Sequence, residues 1–199
     1  VDSGAVLTVE PGVVVKFDPA FGSVLDIANG SLQSVGTNSL PISFTSLGDD
    51  SRGGDTNGAG AAAARGDWKG VLINLVSSAD FAHTTLAYGS KDNAGTINNG
   101  GLVSMDWSRV TEGSGPNVIA TGGTTTITNS EIDNADHGIE HQGGSLSVNL
   151  STIRDHVGWQ IRNTTTEATD ALSNWWGDAT GPFHTTLNPG GLGGMVTDN

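Results

Sequence analysis

The sequence predicts an all-β fold: a right-handed parallel β-helix, a single-stranded solenoid of about seven to nine coils in one domain spanning residues 1–199. Three observations lead there. The 199-residue chain holds 30 Gly, no Cys and only 15% charged residues. Thr, Ser, Asn and Val stand where Lys, Arg, Glu and Leu would supply helices, which is the bias of short strands joined by many turns. A phrase also recurs along the middle of the chain, where Thr124–Thr128 and Leu146–Leu150 are β-rich and the second alternates with period two rather than 3.6.

Taken in chain order, Leu7–Phe17, Val24–Ile27, Gly30–Leu32 and Pro41–Ser46 show the same strand-and-turn character in a different phrase. A Gly- and Asp-rich insertion then occupies residues 47–66, ahead of a strand that starts near Trp68. The recurring phrase is an apolar residue, four residues, and a second apolar residue. It appears as Phe81 to Leu86, Met105 to Val110, Ile127 to Ile132 and Val148 to Ile153. A small residue, Thr84, Ser108, Ser130 or Ser151, stands two places before the second apolar one. The intervals are 24, 22 and 21 residues, and a further apolar residue follows at Val118, Ile139 and Trp159. A unit of that length made of short strands cannot bury its own apolar face, so copies must stack. The stacking repeat is the strand spacing, about 4.8 Å. Propeller blades need roughly 40 residues or more, and the Leu-x-x-Leu-x-Leu phrase of leucine-rich repeats is missing.

Charge excludes several partners. With 21 acidic residues against 8 basic ones the formal charge is −13, so no basic track is present to neutralise a nucleic acid or an anionic membrane. No run approaches the ~18 apolar residues of a membrane helix. The lack of Cys removes disulfides, thiolate metal sites and Cys nucleophiles together. Low Lys with abundant Thr, Asn and Gly favours an extracellular or cell-surface location.

The chemistry-bearing candidates are few. Asp49, Asp50, Asp55, Asn57 and Asp67 lie on or beside the inserted loop and offer oxygen ligands of the kind Ca²⁺ takes, so Ca²⁺ is the expected cofactor if any. The alternative is a solvated Asp/Gly loop, since Ala59 and Gly66 stand where a calcium loop carries acids. Aligning coils on Val110, Ile132 and Ile153 stacks Arg109, Glu131 and Thr152 in one column. It stacks Thr111, Asp133 and Arg154 in a second, and Glu112, Asn134 and Asp155 in a third. Arg109 with Glu131, and Asp133 with Arg154, then read as cross-strand ion pairs. His137, His141 and His156 fall in neighbouring coils at offsets that do not stack. Trp107 and Trp159 are free to meet sugar rings.

The phrase Leu7–Phe17, the turn Gly66-Asp67-Trp68-Lys69-Gly70-Val71 and the late run Asn174-Trp175-Trp176-Gly177-Asp178-Ala179-Thr180-Gly181-Pro182 resemble bacterial secreted and cell-surface parallel β-helix proteins of the pectate-lyase-like superfamily. The resemblance covers nearly the whole chain and implies fold and location more than activity. Relatives of this kind include polysaccharide-cleaving enzymes that join acids, Ca²⁺ and a Lys or Arg base on one face. In this chain Glu112, Asp133, Asp155 and Arg154 would fill those places, giving a lyase or hydrolase acting on an acidic glycan as the alternative. The leading expectation is a non-enzymatic module, an adhesin, rigid spacer or self-assembling unit, with a neighbouring module or identical subunit meeting its terminal coils and glycans as further partners. In relatives the phrase Met195–Asn199 runs on into another strand, so a fragment or module of a longer chain is expected.

Overall fold

The computed structural model describes residues 1–58 and 60–197, and its strands form three parallel sheets. The first sheet takes Val6–Val9, Ser31–Val35, Ser78–Ala82, Leu102–Asp106, Thr124–Thr128, Ser145–Asn149 and Thr169–Asp170. The second takes Val14–Phe17, Ile42–Ser46, Thr84–Ala87, Arg109–Thr111, Glu131–Asp133 and Thr152–Arg154. The third takes Val24–Ile27, Gly70–Ile73, Ile97–Asn99, Pro116–Ala120, His137–His141 and Ile161–Asn163, then Gly193–Thr197 and Pro182–Phe183 at its end. Up to Ile161–Asn163 the chain visits the sheets in rotation and returns beside its earlier strand. This is the strand path of a parallel β-solenoid.

Side chains that point inward stack in columns one coil above another. Phe44, Leu86, Val110, Ile132 and Ile153 form the inner column of the second sheet. Val71, Ile97, Val118, Ile139 and Ile161 form that of the third. All are at most 5% exposed, and each such side chain stabilises the fold by ~1.5–3 kcal/mol through burial. The third-sheet column corrects one expectation from spacing. Ile139 pairs with Ile161, not with Trp159, whose ring instead stacks on His137 with centroids 4.4 Å apart.

The recurring phrase is a corner. Its first apolar residue is the last inward side chain of the first sheet, and its second is the inward residue of the second sheet. Between them one residue turns the chain in the left-handed region: His83, Trp107, Asn129 and Leu150, with φ of 45°, 48°, 48° and 55°. The small residue that follows builds a ladder. The Thr84 amide donates to the Ser108 hydroxyl at 3.0 Å, Ser108 to Ser130 at 3.1 Å, and Ser130 to Ser151 at 3.1 Å. Asn174 of the late Asn-Trp-Trp run closes it, its side-chain oxygen accepting from the Ser151 amide at 2.9 Å. Each rung satisfies a buried N–H that the tight corner removes from the strand pairing.

The return from the third sheet to the first needs glycine. A Cβ on Gly123, at φ 56°, would collide with the Gly101 carbonyl of the preceding coil, and Gly144 repeats the arrangement at φ 75°. Trp68 is fully buried, donates its indole N–H to the Ala87 carbonyl at 2.8 Å and stacks on Phe17 at 4.0 Å. No helix among the described residues is long and apolar enough to cross a membrane.

Candidate functional site: the outer face of the second sheet

Outward side chains of the second sheet in the middle coils include Arg109, Glu131, Asp133 and Arg154. Arg109 pairs in register with Thr85 on one side and Glu131 on the other, and Glu131 with Thr152. The next outward column holds Thr111, Asp133 and Arg154. The expected Arg109–Glu131 pair forms at 3.3 Å. Asp133, however, takes its partner from Arg109 rather than from Arg154: Nε and Nη2 of Arg109 reach its two oxygens at 2.9 and 2.5 Å. The forked guanidinium can serve both carboxylates of the next coil, whereas a single cross-strand pair would leave the nearly buried Asp133 with one bond. Arg154 turns to Glu131 at 2.8 Å and to its neighbour Asp155. The hydrogen bond to Asp133 holds the Arg109 pKa above its usual value, and the bond to Glu131 does the same for Arg154.

Residues 47–69, which contain no strand among those described, pass beside this face. All five residues of Ile42–Ser46 are buried, on both sides of the strand. Lys16 donates to the Gly54 carbonyl at 2.6 Å, and the Gly48 carbonyl accepts from the Ala63 amide at 3.0 Å. Arg65 anchors the far end of the segment on the corner column, reaching Glu112 at 3.0 Å, Asn134 at 2.9 Å and Asp136 at 3.3 Å. Glu112 also accepts from the Asn134 amide group. The acid expected to join Asp133 and Asp155 in catalysis is therefore part of a clamp.

The oxygen-bearing residues of the loop are spread apart in their bonding. Asp49 is buried and accepts from the Thr45 hydroxyl at 2.6 Å, the Ser51 hydroxyl at 2.6 Å and the Ser51 amide at 3.1 Å. Asp67 accepts from the Ser46 hydroxyl at 2.5 Å and the Ala64 amide at 2.9 Å. Asp55 caps the Asn57 amide at 3.1 Å, and Asp50 is exposed. Among the described residues no group of three or more His, Cys, Asp or Glu converges as a metal cage. The histidines are dispersed likewise. His141 is buried between the Thr169 hydroxyl at 2.8 Å and the Gly144 carbonyl at 3.1 Å, and His156 bonds Gln160.

A groove of about 510 Å³ runs along the corner between the first and second sheets. The segment holding Thr37, Asn38 and Pro41 forms one wall, Trp107 and Leu150 stand at the corner, and Arg109 and Glu131 lie on the floor. Trp107 is 61% exposed and lies near-parallel to the His83 ring, centroids 6.5 Å apart. A smaller cavity of about 180 Å³ shares Thr85 and Arg109 with it and reaches Asp49, Arg52, Tyr88 and Thr111. Burial, then the charges of Asp49 and Glu112, raises the Tyr88 pKa, so its phenol stays neutral. Sequence reasoning singled out Trp107 but missed its neighbour His83 and the Arg65 clamp. The corner phrase marks His83 in retrospect, while nothing local to Arg65 signals partners about 47–71 positions away.

Chemically the face offers an exposed aromatic ring, hydroxyls and a set of ions paired with one another. Comparison with family models, with curated proteins and with solved structures finds no match for this chain.

Proposed function

We propose that this chain is a non-enzymatic module of an extracellular or cell-surface protein, a right-handed parallel β-helix of about seven to nine coils of pectate-lyase-like type. It works as a rigid spacer with an adhesive face. The observation that supports this reading is the ion-pair ladder of the middle coils, in which both Arg109 and Arg154 are tied up by the carboxylates of Glu131, Asp133 and Asp155. A lyase base must be unprotonated near the working pH, and an Arg whose pKa is raised further by Glu131 is the wrong group for that task. Exposed apolar residues near the two ends of the strand path, Val6 and Leu172 among them, favour contact with a neighbouring module or a second copy. The acidic, Cys-free, Thr- and Asn-rich composition favours the exterior.

The test is an incubation of the purified protein with acidic and neutral polysaccharides, with and without Ca²⁺, followed by reducing-end and unsaturated-product assays. No turnover is expected. Cleavage that Arg154→Ala abolishes would overturn the reading in favour of the glycan lyase.

A further inference from the structure

We propose that the groove beside Trp107 is a binding site for a neutral saccharide, with the indole as the platform on which a sugar ring stacks. This names the ligand class of the adhesive face, and it rests on the proposed function only for its non-catalytic character.

The corner geometry makes a bulky side chain costly, and Trp107 and Leu150 both stand at it. The residue at this corner must adopt the left-handed region, which Asn tolerates and bulky side chains do not favour. The next coil has Asn129 there; Trp107 holds φ 48° with 61% of its surface exposed, and Leu150, one coil further on, holds φ 55° with 63% exposed, but of these two only Trp107 offers a flat ring. A large aromatic residue kept in a strained turn, with most of its ring in solvent, gains little for the fold; such outliers mark binding positions.

The surroundings match a sugar. A pyranose presents a C–H face suited to an aromatic ring and a rim of hydroxyls that need both donors and acceptors. Thr85, Thr152 and Asn38 line the groove beside Arg109 and Glu131. Its volume, about 510 Å³, falls within the ~300–1,000 Å³ of small-molecule sites.

Charge selects the neutral class. Arg109 and Glu131 on the groove floor pair at 3.3 Å, Arg109 is also held by Asp133, and the chain carries −13 overall. An anionic glycan or a phosphate would approach a repelling surface with no unpaired cation on the floor of this groove.

Isotope-labelled protein titrated with cellohexaose, xylohexaose, mannohexaose and hexa-N-acetylchitohexaose, with hexagalacturonate as the acidic comparison, tests the site by NMR. At least one neutral oligosaccharide is expected to shift the Trp107 indole N–H and the amides of Thr85 and Arg109. Trp107→Asn places at this corner the residue that the next coil already uses, so its circular dichroism should be unchanged. Its affinity should fall by about tenfold or more, while Trp107→Phe, which keeps a ring, should stay within about threefold. The proposal is overturned if no neutral oligosaccharide moves these resonances, if Trp107→Asn binds as the unmodified protein does, or if hexagalacturonate binds more tightly. Cleavage of a bound neutral sugar would remove the non-enzymatic reading and leave the site standing.

Discussion

Replacing Ser130 by Ala removes one rung of the corner ladder and nothing else of comparable size. Ser130 is 5% exposed; its hydroxyl accepts from the Ser108 amide at 3.1 Å and donates to the Thr128 carbonyl at 2.6 Å. Without it the Ser108 N–H is left buried without this acceptor, a cost of about 1–3 kcal/mol, and the lost bond to Thr128 adds about 0.5–1.5 kcal/mol. A total of roughly 2–4 kcal/mol corresponds to a fall in Tm on the order of 10 °C for a chain of this size. Ser130→Thr keeps the hydroxyl, as Thr84 does two rungs lower in the stack, where it donates to the Ala82 carbonyl at 3.1 Å, and should change stability by less than about 1 kcal/mol. Thermal and urea unfolding of the two variants measure the difference. Hydrogen exchange adds a local readout, since the Ser108 amide should exchange faster in the Ala variant than amides two coils away. A Ser130→Ala protein within about 0.5 kcal/mol of the parent, with an unchanged Ser108 amide, would refute the ladder as a source of stability.

Three further outcomes follow from the same geometry. Arg65→Ala removes three contacts of partly exposed groups, so global stability should change by only about 1 kcal/mol, while limited proteolysis within residues 47–66 should accelerate several-fold; unchanged cleavage would show that the clamp does not hold the segment. Burial lowers the His156 pKa below its usual 6.5, against the opposing influence of Gln160, Asp133 and Asp155 and with that of His137. Stability from this group is therefore greatest above the unfolded value of about 6.5 and is lost as the pH falls through the lowered folded value. Tm measured between pH 7.5 and 4.5 should show that loss for the parent and a smaller one for His156→Gln; parallel curves would contradict it. Calcium binding by the loop of Asp49, Asp50, Asp55, Asn57 and Asp67 requires a Tm rise on adding Ca²⁺ that Asp55→Ala removes, and an unchanged parent Tm ends that proposal.

The corner phrase shows why so much of the fold was legible. Phe81 to Leu86 and its three successors carry their own geometry, because two inward residues flanking one left-handed residue and one small hydroxyl are all within six positions of each other. The Gly pairs at the opposite corner are local in the same sense. The misreading of Trp159 has a complementary cause: apolar character alone does not distinguish Ile161, which enters the column, from a ring that stacks on His137 two residues earlier. The candidate site was legible only in parts. Trp107, Arg109 and Glu131 were identifiable as outward residues of stacked coils, but the groove needs the wall supplied by Thr37, Asn38 and Pro41, about seventy positions earlier in the chain.

Sequence by itself determined that this chain is all-β, that it stacks in units of 21–24 residues, and that Thr84, Ser108, Ser130 and Ser151 occupy one equivalent place. Those features depend on neighbours along the chain and on repetition, both of which are written in residue order. Only the tertiary structure decided which carboxylate each arginine chose, where the 47–69 segment lies, and that Trp107 stands beside a polar groove. Ion pairing and surface shape depend on side chains from different coils meeting in space, and a flexible guanidinium selects among several carboxylates by distance and geometry that spacing does not encode.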